Sequence, residues 1–195
     1  MAKIIYIKES KTKGYLVIGV KDGEQKTSLT VNGAAYAALG SPSLGEELTS
    51  DAYDALAREN GRFLALRKAL YLLSFSDNSE RNLRYKLMRA GYPGDVVDFA
   101  VSEVLRLGYI NEARQLERLI LTEANSKLFG PMKIISRLVG KGYSPSDVRA
   151  AIEALRDSGE VDFDTNRARL LEKLPDGYTD EDMYKLLYKY GYKTY

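Results

Sequence analysis

Lys133, Arg137 and Lys141 recur at four-residue spacing, which on a helix sets three cations along one face. Lys185 and Lys189 repeat that spacing further on, and Arg84, Lys86 and Arg89 form a looser group upstream. Cations placed this way pair with carboxylates on another protein or with phosphates. Tyr178, Tyr184, Tyr188, Tyr190, Tyr192 and Tyr195 are interleaved with the last lysines, and tyrosine beside cations suits protein interfaces and base stacking. Tyr184 and Tyr190 are the better contact candidates, because Tyr188 and Tyr192 fall at positions the sequence pattern assigns to a core.

Bond-making chemistry has far less support. The 195 residues contain no histidine and no cysteine, which removes the usual general base near neutral pH, the thiolate nucleophile and the commonest metal ligands. There is no glycine-rich phosphate loop and no nucleophile with an adjacent base. Glu46-Glu47 is an adjacent pair that helical geometry would not aim at a common point, and reads as a solvated turn. The expectation is a binding protein without catalytic residues, metal or cofactor.

Charge location says more than its sum. Twenty-nine Lys and Arg against 27 Asp and Glu leave a net +2, well short of a protein that lives by gripping phosphates alone. Yet residues 81–92, 127–143 and 183–195 each carry three or four cations and no acid. The N-terminal apolar run is too short for a signal peptide, and no stretch reaches the ~18–20 apolar residues of a membrane span. A cytoplasmic protein without membrane contact is expected.

The three basic stretches coincide with a repeat. Leu83-x-x-x-Leu87-x-x-x-Gly91-Tyr92 returns as Ile134-x-x-x-Leu138-x-x-x-Gly142-Tyr143 and as Met183-x-x-x-Leu187-x-x-x-Gly191-Tyr192, at offsets of 51 and 49 residues. A period near fifty suits stacked three-helix units, whose extended surface binds another macromolecule. The stripes Leu83/Leu87/Met88, Ile134/Leu138/Val139 and Met183/Leu187/Tyr188 are expected to pack the module cores. Asp77-x-x-Glu80, Ser144-Pro145-Ser146-Asp147 and Thr179-x-x-Asp182 read as helix starts. Ahead of the modules, residues 4–7, 15–20 and 25–31 read as a small antiparallel sheet with a turn at Asp22-Gly23, followed by short helices capped by Asn32 and Thr49. The predicted architecture is mainly α with this small N-terminal sheet: residues 1–60 form the sheet and short helices, 61–111 the first three-helix module, 112–161 the second, and 162–195 a third that lacks its last helix.

These residues resemble a known family. Ser79-Glu80-x-x-Leu83-x-x-x-Leu87, Gly108-Tyr109-Ile110-Asn111-Glu112 and Gly130-x-x-x-Ile134-x-x-x-Leu138-x-x-Lys141-Gly142-Tyr143 are similar, in order and separation, to landmarks of the RecX family of bacterial recombination regulators. The likeness covers roughly residues 60–192. It implies an elongated, curved array of three-helix modules that binds the groove of the RecA recombinase filament and inhibits its ATPase, strand exchange and co-protease activities, in DNA repair and the SOS response. It also implies DNA contact in some members and no catalytic site. Members often carry arginines just before the Ser-Glu pair, where this chain has Phe75, Asp77 and Asn78. A second expectation of different class is a DNA-binding protein of helix-turn-helix type, since compact three-helix units with short turns also build duplex readers.

Overall fold

The structure, a computed structural model, describes residues 2–193; Met1 and Tyr195, the last of the C-terminal tyrosines, lie outside the described residues. It is mainly helical with a three-stranded antiparallel sheet at the N-terminus. The chain gathers into two compact units, Met1–Ser76 with Leu83–Tyr109, and Asp77–Asn82 with Ile110–Tyr195.

In the first unit β1 (Lys3–Glu9), β2 (Tyr15–Asp22) and β3 (Gln25–Asn32) pair in sequence order. Alternation along the strands sends Ile4, Ile18, Val20, Leu29 and Val31 to one face, where they close on Tyr36, Leu48 and Leu56. The hairpin turn sits one residue later than expected. Asp22 pairs with Gln25, so Gly23 and Glu24 are its central residues, and only Gly23 has positive φ. That is the arrangement of a turn needing glycine at its first central position.

Asn32 caps α1 (Gly33–Ala38) and Thr49 caps α2 (Ser50–Phe75), each accepting a backbone N–H. The sequence divided α2 into two helices with a domain boundary at residue 60. Instead one 26-residue helix serves both neighbours. Its first half joins the sheet through Leu56 and through Asn60, whose Oδ1 accepts from Thr30 N–H at 2.9 Å. Its second half presents Gly61, Ala65 and Ala69 at four-residue intervals, and Gly61 faces Val96 of α4 (Gly94–Arg106). Gly61 therefore admits a neighbouring helix rather than breaking its own.

In the second unit α5 (Glu112–Leu121) runs into a single π-helical turn, Thr122–Ser126, followed by α6 (Pro131–Gly140), α7 (Pro145–Asp157), α8 (Phe163–Leu171) and α9 (Asp180–Tyr190). Leu116, Ile120, Ile134, Leu138, Val148 and Ile152 build one core, and Leu128, Leu170, Leu187 and Tyr192 a smaller one. Burying each such aliphatic side chain contributes about 1.5–3 kcal/mol. Leu128 holds a left-handed conformation (φ 57), which a leucine tolerates here because its side chain is locked into the smaller core.

Helix starts follow the sequence in part. Thr179 and Asp182 form a reciprocal capping box at α9. At α3 (Glu80–Arg89) the cap is Ser79 rather than Asp77: the Ser79 hydroxyl accepts from Asn82 N–H at 3.1 Å, while Asp77 pairs with Arg118. Two members of the expected core stripes are outside it. Leu83 and Leu87 are fully buried, but Met88 is 61% exposed and its counterpart Tyr188 78%. A residue five positions after another lies about 140° around a helix, so Met88 and Tyr188 turn away from the face that Leu83 and Met183 define.

Candidate partner-binding surface

Beyond its exposed acidic first turn, Asp180 to Asp182, α9 exposes Tyr184, Lys185, Tyr188 and Lys189. The four alternate aromatic and basic along consecutive turns, because Leu187 holds the opposite face in the small core. Lys185 lies 2.6 Å from Glu181 one turn earlier, an exposed pair that competes little with a partner. Exposed Tyr85, Met88 and Arg89 form a comparable stripe on α3. Arg84 is half-buried and ion-paired with Asp98, and Lys86 is half-buried. Tyr71 and Phe75, both exposed, meet edge-on at 4.7 Å on α2, with Lys68 Nζ 5.1 Å from the Tyr71 ring.

The α6 cations do not act together. Arg137 Nε donates to Glu123 Oε2 at 2.6 Å, and its guanidinium lies 5.3 Å from the Phe129 ring. Lys127 Nζ donates to the other oxygen of Glu123 at 2.8 Å. The Glu123 side chain is only 3% exposed. Burial alone would push its carboxyl up, and the hydrogen bonds and charges of Lys127 and Arg137 more than offset this, holding it below the usual glutamate range. Arg137 is therefore part of the fold. Lys141 is exposed at the C-terminal end of α6, and Lys133 is half-buried with its backbone against Gly191.

Tyr190 is also used internally. It is half-buried, its ring centre 5.6 Å from that of Phe129, and its carbonyl accepts from Gly130 N–H. The two tyrosines after the helix-ending glycines of α6 and α9 are buried. The Tyr143 hydroxyl donates to Gln115 Oε1 at 2.8 Å, and burial, reinforced by the nearby Glu112 charge, pushes its pKa up to about 12. Tyr192 is likewise raised to about 12 by burial.

Sequence reasoning thus missed Tyr85, Met88 and Tyr188, and the Lys68–Tyr71–Phe75 group. Met88 and Tyr188 were recoverable from helical angle, since each directly follows a buried leucine and is followed by a base. Among the described residues no cluster of Asp and Glu is arranged to hold a metal ion, and no helix is long and apolar enough to cross a membrane.

What the geometry defines is a helical-repeat protein that presents aromatic and basic helix faces. Residues 65–103 match the model of the first three-helix domain of RecX. Regulatory protein RecX of Pseudomonas fluorescens is 30% identical over 105 residues, 50% of this chain and 67% of the relative. Its counterpart in Ectopseudomonas mendocina is 33% identical over 97 residues, 49% of this chain and 62% of that protein's length. A crystal structure of regulatory protein RecX superposes with a TM-score of 0.71 at 20% identity, covering 99% of this chain and 95% of that one, and so supports the fold. The chain belongs to the RecX family of regulatory proteins.

Proposed function

We propose that this protein is a non-enzymatic regulator that binds along the groove of a RecA–DNA filament and restrains its ATPase, strand exchange and co-protease activities. The observation that carries the reading is the exposed aromatic–basic stripe of α9, Tyr184, Lys185, Tyr188 and Lys189, in a chain with no histidine or cysteine. Its tyrosines bury apolar area against a protein surface while its lysines meet acids or the phosphates of filament DNA. The resemblance to RecX proteins supplies the recombinase as partner, and a cytoplasmic site of action goes with it.

Reading of duplex DNA by a helix-turn-helix is disfavoured. A recognition helix lays its N-terminal residues on the base edges. Here the first turns of α4, α7 and α9 carry Asp95, Asp147 and the run Asp180-Glu181-Asp182, which repel phosphates. The start of α6 is covered by the end of α9.

The test measures binding to a preformed RecA–single-stranded DNA filament and to the same DNA naked, with filament ATPase followed in parallel. Tight filament binding, falling ATPase and weak naked-DNA binding are expected. The double substitution Tyr188→Ala with Lys189→Glu should weaken filament binding at unchanged helicity. Equal binding to filament and naked DNA with ATPase untouched would overturn the proposal.

A further inference from the structure

The repeat contains a helix-end junction that is made twice and left open once. At the end of α9, Gly191 lies so close to α6 that a β-carbon on it would sit 2.3 Å from Lys133 N. There Gly130 N–H donates to Tyr190 O at 2.8 Å and Met132 N–H to Gly191 O at 3.2 Å. The end of α6 is used in the same way. A β-carbon on Gly142 would sit 2.6 Å from Ser79 Oγ and 3.2 Å from Asn82 N, and the Ser79 hydroxyl donates to Lys141 O at 2.9 Å. In both junctions the last carbonyls of one helix, its negative end, receive the first residues of another, its positive end. The receiving glycine has no side chain because the incoming helix start occupies that space, with Lys133 backbone at Gly191 and the Ser79 hydroxyl at Gly142. The third equivalent, Ala90-Gly91 at the end of α3, is exposed, and a β-carbon on Gly91 would meet nothing within 4 Å.

We infer that the Ala90-Gly91 end of α3 is a docking site for the N-terminus of a helix on the protein partner, with glycine or serine at its cap and an acid in its first turn. The small cap follows from Gly130 and Ser79, which fill that role in the two closed junctions. The acid follows from the exposed Arg89 in the last turn of α3 and from the partial charge of the helix start it would flank. Of the two closed junctions, the incoming α3 start carries one, Glu80, and the α6 start none. A second copy of this chain is a poorer occupant. Its α9 start holds the equivalent position, but the Thr179 hydroxyl already donates to Asp182 Oδ2 and accepts from Asp182 N–H, so that end is closed by its own side chains. The identity of the partner rests on the function proposed above, in which the helix belongs to a recombinase protomer.

Gly91→Asn is the informative variant. Gly91 has φ +89, a region asparagine tolerates better than other side chains, and the added atoms fill the space an incoming helix needs. Gly108→Asn is the control, because Gly108 ends α4 with φ +74 and equally open surroundings but has no counterpart in the closed junctions. Affinity for a preformed RecA–single-stranded DNA filament should fall by about tenfold or more in Gly91→Asn, the scale of one or two lost hydrogen bonds. It should hold within about twofold in Gly108→Asn, with both variants equally helical and equally stable. Equal affinities in the two variants would overturn the docking site while leaving the proposed function intact, whereas a parent protein that ignores the filament would overturn both. Self-association of the parent by sedimentation, abolished in Gly91→Asn, would assign the site to a second copy and overturn the partner. A matching loss of naked-DNA binding would assign it to DNA, with the same consequence.

Discussion

Replacing Arg137 by methionine tests how far a cation at the expected binding face belongs to the fold. Methionine retains an unbranched stem against Phe129 and removes the guanidinium that holds the nearly inaccessible Glu123 carboxylate at 2.6 Å. Breaking a buried pair by removing one partner costs about 3–5 kcal/mol. Here Lys127 remains at 2.8 Å, and the side chains of Arg137 and Lys127 are 39% and 44% exposed, so water and the second cation reduce the loss to about 1.5–3 kcal/mol. For a chain of this size that lowers Tm by about 3–12 °C, read by circular dichroism at pH 7. The pH dependence follows from the depressed Glu123 carboxyl. Its stabilisation is complete above the unfolded value near ~4.3 and disappears as pH falls through the lower folded value. Parent and variant should therefore converge in acid. In a Glu123→Gln background, Arg137→Met should change stability by less than about 0.5 kcal/mol, since the charge pair is already gone. An equal loss in both backgrounds would refute the reasoning.

Three further outcomes are expected. Gly130→Ala places a β-carbon 2.6 Å from Gly191 O and 2.9 Å from Tyr192 Cγ; it should destabilise by about 1–3 kcal/mol in urea titration, and an unchanged midpoint would exclude the close packing of α6 on α9. Leu87→Ala should lose about 2–5 kcal/mol while Met88→Ala stays within about 0.5 kcal/mol, since Leu87 is fully buried and Met88 mostly exposed; comparable losses would contradict the orientation of α3. Tyr143→Phe leaves Gln115 Oε1 without its 2.8 Å donor and should lose about 1–2 kcal/mol near neutral pH. Because the folded Tyr143 pKa is raised to about 12 against ~10 unfolded, its proton-linked stabilisation is present below pH ~10 and declines toward pH 12. That slope should be shallower in the variant, and identical alkaline slopes would refute the assignment.

The repeat was legible because its punctuation is local: a glycine ending a helix with a tyrosine behind it needs nothing distant to be read. The Thr179–Asp182 cap and the sheet strands were visible for the same reason. What escaped the sequence depends on partners far along the chain. The continuity of α2 past residue 60 rests on Gly61 packing against Val96, thirty-five positions on. Asp77 looked like a cap, but Arg118 engages it and Ser79 does the capping. Arg137 matched Lys133 and Lys141 in spacing, yet its partner Glu123 lies in a π turn that no 3.6-residue periodicity reveals. For the candidate surface, composition and charge clustering indicated basic helix faces, while the inward role of Tyr190 shows only in its packing on Phe129.

The stitch between α6 and α9 also bears on how the protein is made. Gly130 N–H finds its acceptor at Tyr190, sixty positions downstream. At about 5–20 residues per second, a ribosome needs about 3–12 s to supply the intervening chain. During that interval the nascent α6 has its first N–H groups in water and the apolar side of Leu128 uncovered. Helix α6 is thus complete in sequence before the carbonyls that seal its start are made, and translation of α9 supplies them.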